Sequence, residues 1–159
     1  VTGLRNPDMI NVAAKHQVPV IIMHMQGTPE TMQINPTYKD VILDIKTYLK
    51  TQADKAKSAG IKQIIIDPGI GFGKTIEPNL KIIKHLQDFK DLGYPVLVGP
   101  SRKSFIGKIL GTDSPTDRLE GTLAAVTACV LNDADILRVH DVKECKRAIE
   151  IVRAIKNIE

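Results

Sequence analysis

Aromatic residues are scarce in this chain. Tryptophan is missing altogether, and phenylalanine and tyrosine number three each in 159 residues. The sequence therefore lacks basic blocks interleaved with aromatics, the mark of a nucleic-acid surface. A net charge of +4 does not restore that reading, because bases and acids are mixed, as in Lys143-Glu144-Cys145-Lys146-Arg147. We expect no nucleic-acid partner, while anionic small molecules need only a few placed cations. Long apolar runs are lacking too. No stretch of about 18 uncharged apolar residues exists, so no membrane span is expected. Cysteine is limited to Cys129 and Cys145, too few for a disulfide scaffold. Both sit in apolar helical patterns without a metal-spaced partner, which points to buried, reduced thiols and a cytoplasmic protein. The opening Val1-Thr2-Gly3-Leu4-Arg5 has no initiator Met and no apolar signal segment. The expectation is a processed or truncated piece.

What is present is ordinary for a globular domain: 43% apolar and 25% charged residues. The length suits one domain with a real core, and no Pro/Ser-rich linker divides it. Apolar runs at Val18–His24, Gln63–Asp67, Pro95–Gly99 and Asp135–His140 predict four strands. Helical spacing predicts helices over Pro7–His16, Lys39–Gly60, the segment from Glu77, Thr116–Leu131 and Lys143–Ile158, with a short one at Lys103–Leu110. Leu80, Ile83, Leu86 and Phe89 form the expected stripe of the third helix, and Cys145, Ala148, Ile149, Val152 and Ile155 that of the last. Strands rich in Val and Ile alternating with helices imply an α/β fold with a parallel sheet, its strands buried on both faces.

In such folds chemistry gathers at the C-terminal ends of the strands. Here those ends are Met23-His24-Met25, Asp67-Pro68-Gly69, Gly99-Pro100-Ser101-Arg102-Lys103 and Arg138-Val139-His140-Asp141. Together they would offer a carboxylate, two or three cations and imidazoles to a polar, phosphorylated ligand. Asp67 could simply end a strand. The alternating glycines that follow it exceed the needs of a turn and let backbone approach a ligand. Gly73-Lys74-Thr75 fails as a P-loop, because Pro68 stands where the first glycine belongs. Ser104 opens a helix, where free N–H groups favour anions. Arg138 and His140, two apart, share a face, and an arginine on a buried strand demands a partner or a ligand. His24 reads as a structural histidine, and His16 and His85 as surface residues on helices. Arg118-Leu119-Glu120-Gly121 reads as packing or capping.

These motifs carry a family resemblance. Ile65-Ile66-Asp67-Pro68-Gly69-Ile70-Gly71-Phe72-Gly73-Lys74-Thr75 resembles the central signature of dihydropteroate synthase. Val98-Gly99-Pro100-Ser101-Arg102-Lys103-Ser104-Phe105-Ile106-Gly107, Leu137-Arg138-Val139-His140-Asp141-Val142 and Met23-His24-Met25-Gln26-Gly27-Thr28-Pro29 resemble its neighbouring motifs, in family order over essentially the whole chain. The resemblance implies a (β/α)₈ barrel of which residues 1–159 supply the C-terminal portion, strands five to eight. Val1 to Arg5 then resembles the loop after strand four. A whole barrel needs about 250 residues.

The resemblance also implies an activity: a dihydropterin carrying a hydroxymethyl pyrophosphate condenses with p-aminobenzoate, giving dihydropteroate and pyrophosphate. By likeness, Asp67 accepts hydrogen bonds from the pterin edge, and Lys103 bonds the pterin near p-aminobenzoate. Arg138 stacks on the ring and, with His140, holds the pyrophosphate. Ile21, Met23, Phe72 and Gly99 line the pterin slot, and Ser104 receives the p-aminobenzoate carboxylate. Lys103, Arg138 and His140 are the implied catalytic groups. The family also implies Mg²⁺, held mainly by the substrate pyrophosphate and residues outside this chain, with no ligand here. It further implies a homodimer and competition by sulfonamides. A corrinoid-type pterin methyltransferase and a non-catalytic pterin-binding module are the alternatives. The first has no pyrophosphate to bind, and cobalamin with methyl-tetrahydrofolate would reveal it.

Overall fold

The computed structural model describes Leu4 and residues 6–158. The expectation for the opening residues as a post-strand loop falls on Val1, Thr2, Gly3 and Arg5, outside the described residues. The elements follow in the order α1 (Pro7–His16), β1 (Val20–Met23), α2 (Val41–Ser58), β2 (Ile64–Asp67), α3 (Ile76–Lys84), β3 (Leu97–Val98), α4 (Ser104–Leu110), α5 (Leu119–Leu131), β4 (Ile136–Leu137) and α6 (Val142–Lys156).

The strands run parallel in chain order. Val20 faces Ile64 and Met23 faces Asp67 across β1 and β2. The Ile66 N–H donates to the Pro95 carbonyl at 2.9 Å, a bridge that brings Val96 beside β2. Leu97 then faces Ile136 across β3 and β4. The helices show why they form where they do. Asp40 caps α2, its Oδ1 accepting from the N–H groups of Ile42 and Leu43. Val41, Ile45, Leu49, Ala53 and Ala56 then recur at helical spacing and are buried. They meet Ile22, Ile66, Ile82, Leu86, Phe89 and Val98, all fully buried in one core. Burying each such large side chain is worth about 1.5–3 kcal/mol, so this layer fixes the strand ends relative to one another.

Several boundaries differ from expectation. One face of the sheet is covered only in part: Ile21 is 45% exposed and Ile136 36%, whereas Leu97, paired with Ile136, is buried, so burial on both faces holds for β3 but not for the outer strands. The strand expected over Asp135–His140 shortens to Ile136–Leu137, because β4 has a neighbour only in β3 among the described residues. Arg138 therefore lies just beyond it, its N–H still donating to the Val98 carbonyl at 2.9 Å. The third helix ends at Lys84, and a 3₁₀ stretch over Leu86–Leu92 carries Leu86 and Phe89 inward. Leu80 turns outward, and Ile82 takes its place in the core. A 3₁₀ turn at Pro115–Asp117 delays the fifth helix to Leu119. In α6 Cys145 and Val152 are buried, but Ile155 is exposed. His85 sits half-buried between α3 and the 3₁₀ stretch, not on a helix. Both cysteines are buried free thiols, as expected. Among the described residues no helix is long and apolar enough to cross a membrane.

Candidate active site

The parallel register places Met23 beside Asp67 at one end of the sheet, and the segments after β3 and β4 emerge at that same end. Between them lies a cleft of about 410 Å³ lined by Ile21, Met23, Phe72, Gly99, Ser101, Lys103, Arg138, Val139 and His140. Larger surface grooves exist, such as that between α2 and α3, but none holds the strand-end motifs.

Asp67 forms the wall behind this cleft. It is almost wholly buried, its Oδ1 accepting the Gly69 N–H at 2.8 Å. Its Oδ2 lies 3.4 Å from Arg138 Nη2. Burial pushes the Asp67 carboxyl above the usual carboxylate range, while the Gly69 N–H and the charges of Arg138, Lys103 and Lys74 pull it back. Lys103 stands with its Nζ 4.1 Å from the centroid of the Phe72 ring, a cation–π contact. Burial, followed by the charge of Arg138, holds its ammonium below the ordinary lysine range. His140 is anchored through Ser101, whose Oγ lies 3.0 Å from His140 Nδ1 and accepts the His140 N–H at 3.2 Å.

The glycines have specific reasons here. Gly69 has φ +75°, and a Cβ there would sit 1.9 Å from the His24 carbonyl oxygen, so no side chain fits. Gly99 lies under the Arg138 guanidinium, which a Cβ would meet at 3.2 Å.

The segment after β3 is locked at Arg102, a non-glycine residue at φ +57°. Its N–H donates to Thr122 Oγ1 at 3.0 Å, and its carbonyl accepts from Arg118 Nη1 at 2.9 Å. Its guanidinium forks onto Asp141 at 3.1 and 2.5 Å, joining the segments after β3 and β4. Arg118 is therefore a packing residue, as the sequence suggested.

A family model described as "Pterin binding enzyme" matches residues 1–140. The chain belongs to the pterin-binding enzyme family. It is 44% identical over 151 residues to the dihydropteroate synthase of Synechocystis sp., covering 94% of this chain and 52% of that protein. It superposes on the Thermus thermophilus dihydropteroate synthase in complex with 6HMPPP with a TM-score of 0.95 at 42% identity, over 99% of this chain and 63% of the other. The same enzyme in complex with 4-aminobenzoate gives 0.94, likewise at 42% identity, over 99% and 64%. The chain spans about half the length of the curated relative it matches.

Of the residues singled out in the sequence, Ile21, Met23, Phe72, Gly99, Lys103, Arg138 and His140 line one cleft, with Asp67 behind them. Ser104 does not line it: it is exposed at the first position of α4. Arg138 is about half exposed, so its cost is not that of a buried strand arginine; its role rests on its place beside Asp67. His24 is buried as a structural histidine, its ring meeting Tyr48 edge-on at 5.1 Å. Sequence reasoning placed Ser101, Arg102, Val139 and Asp141 in the strand-end motifs but gave none of them a role, and it did not foresee the Arg102–Asp141 fork. It also set Lys74 aside with the failed P-loop match, although Lys74 is buried.

Proposed function

We propose that this chain is the C-terminal portion of a dihydropteroate synthase. Its four strands serve as strands five to eight of a (β/α)₈ barrel that forms one pterin-binding domain. The whole protein, on this reading a cytoplasmic homodimer, condenses 6-hydroxymethyl-7,8-dihydropterin pyrophosphate with p-aminobenzoate. One observation carries the reading. A buried carboxylate, Asp67, and the polar groups of Lys103, Arg138 and His140 meet at a single strand-end cleft. The partly exposed sheet face that bears Ile21 is the face such a barrel turns inward.

Each group has a task its surroundings suit. Asp67 accepts paired N–H donors from the pterin's amino-pyrimidine edge. Lys103, braced over Phe72, donates to the pterin ring between it and p-aminobenzoate. Arg138 leaves its long 3.4 Å contact with Asp67 and lies over the ring, where Gly99 leaves room. With His140 it takes the pyrophosphate. The bond from the pterin methylene to the pyrophosphate oxygen breaks, and both electrons leave with pyrophosphate. The aniline nitrogen of p-aminobenzoate then attacks the methylene and loses a proton. Cations placed at the departing charge, and reactants held in line, supply the acceleration. The p-aminobenzoate carboxylate reaches the exposed start of α4 at Ser104.

Mg²⁺ does not fit the donors of this chain. The cleft offers Lys103, Arg138, His140 and Ser101 with Asp67 as the one carboxylate beside it, and no cluster of three or more metal-ligating side chains occurs among the described residues. On this reading the substrate pyrophosphate and residues outside the chain hold the ion.

The test is calorimetry of the full-length protein with the pterin pyrophosphate, followed by a pyrophosphate-release assay with and without p-aminobenzoate. Saturable pterin binding and release that depends on p-aminobenzoate are expected. Absence of pterin binding refutes the reading, and binding without turnover reduces it to a pterin-binding module.

A further inference from the structure

Lys74 is a buried ammonium that the chemistry above leaves without a task. It is 4% exposed, and three polar atoms surround its Nζ. The Nζ donates to the Gly69 carbonyl at 2.9 Å and to the Phe72 carbonyl at 2.9 Å, and lies 3.1 Å from His24 Nδ1. Gly69 supplies the N–H that binds Asp67 Oδ1, and Phe72 supplies the ring under Lys103. Lys74 thus ties together both ends of the turn on which the pterin-facing carboxylate and the aromatic wall depend.

The rest of the turn is bonded from its outer side. Asn79 accepts the Gly71 N–H at 2.7 Å, Gln33 donates to the Gly71 carbonyl at 3.0 Å, and the Tyr38 hydroxyl donates to the Gly73 carbonyl at 2.7 Å. None of these reaches the carbonyls of Gly69 or Phe72. The Phe72 N–H also donates to the Gly69 carbonyl, at 3.1 Å, so without Lys74 that carbonyl keeps one donor while the Phe72 carbonyl loses the Lys74 donor, the costly side of hydrogen-bond accounting.

We propose that Lys74 is a positioning residue of the pterin site: its ammonium, held between the Gly69 and Phe72 carbonyls and the His24 imidazole, fixes the turn that presents Asp67 and Phe72. The inference rests on the pterin reading given above. The charged and titratable groups around Lys74 are Asp67 at the end of β2, His24 at the end of β1, Tyr38 from the connection to α2, and Lys103 after β3. Of these Asp67 is the anion, and the Lys74 charge favours its ionised form. A position held only for packing would not influence where Asp67 titrates.

The experiment measures pterin affinity of the full-length protein against pH for wild type, Lys74→Met and Lys74→Arg. Lys74→Met should weaken binding by about tenfold or more, the scale of a lost charged hydrogen bond. It should also move the acid limb of the profile, where Asp67 takes up its proton, to higher pH. Lys74→Arg, which keeps the charge and the donors, should keep the wild-type limb. Equal affinity and an unmoved limb in Lys74→Met overturn the inference while leaving the pterin reading intact. A wild-type protein that binds no pterin at any pH overturns the reading itself. If Lys74→Met does not fold, Lys74→Gln decides: an unmoved acid limb there is equally fatal.

Discussion

Arg138 Nη2 lies 3.4 Å from Asp67 Oδ2, across 71 residues of sequence. The contact is unequal. Asp67 is buried and bonded to Gly69, whereas the Arg138 side chain is 55% exposed. At that length and exposure the pair contributes little stability. It is a contact a ligand can replace.

Asp67→Asn should weaken pterin binding and make the protein more stable. Burial raises the Asp67 pKa in the folded state. A carboxyl whose folded pKa exceeds its unfolded one stabilises the fold fully below the unfolded pKa. That contribution is lost as pH rises through the folded pKa. Above the folded pKa the ionised carboxylate is thus a cost that asparagine removes, since its amide oxygen still accepts the Gly69 N–H. A gain of about 1 kcal/mol would raise Tm by roughly 2–4 °C in a domain of this size. Pterin affinity should fall at least about tenfold, because one charged acceptor is lost. Calorimetry and a thermal melt check both; a fall in Tm together with unchanged affinity contradicts the assignment.

Gly99→Ala should separate fold from site. Its backbone is not in the left-handed region, and the new Cβ would meet only the flexible end of Arg138, at 3.2 Å. The guanidinium must move, and the core need not. We expect Tm to change by less than about 2 °C, in keeping with a change of roughly 0.5 kcal/mol or less. Affinity for the pterin pyrophosphate should fall more than affinity for the same pterin without pyrophosphate. Equal losses for the two ligands would show that Arg138 does not reach the phosphate end.

Much of this site was legible in the sequence, and the reason is topological. In a parallel sheet every strand delivers its last residues to the same end, so Met23, Asp67, Gly99 and Arg138 could be brought together without knowing any distance. The ends of elements were less legible. β4 stops at Leu137 because an outer strand has fewer partners to extend it, and no local pattern in Asp135–His140 announces that. Nor does helical spacing show that the chain tightens to a 3₁₀ stretch after Lys84. The hidden contributors were those whose role lies in backbone bonds. Lys74 reads as one more basic residue until the carbonyls it holds are seen. Ser101 and Asp141 become informative only once His140 and Arg102 are found beside them.

Ser101→Ala should impair turnover while sparing the fold of the cleft. Ser101 is buried and makes two contacts with His140, one to the ring and one to the N–H. Alanine leaves the His140 ring free to rotate away from the departing pyrophosphate. A fall in kcat of about tenfold, with KM for p-aminobenzoate within twofold, is the expected pattern for a group acting at the leaving pyrophosphate. A rise in KM with kcat preserved would instead place His140 in ground-state binding.

The buried lysine also makes stability depend on pH in a specific window. Burial lowers the Lys74 pKa from 10.5 to about 7, so between those values the unfolded chain holds a proton that the folded chain has released. Stability therefore rises with pH wherever the unfolded state binds more protons. Lys74 should make wild type more stable as pH climbs from about 7 toward 10.5, at up to about 1.4 kcal/mol per pH unit where the proton is fully released. Lys74→Met has no such proton. Denaturant unfolding of both proteins at several pH values isolates the effect, since the other titrating groups largely cancel in the difference. The stability of wild type minus that of Lys74→Met should grow steadily across the window. A flat difference would mean that Lys74 keeps its charge throughout, held by Asp67 and the two carbonyls more strongly than burial opposes it.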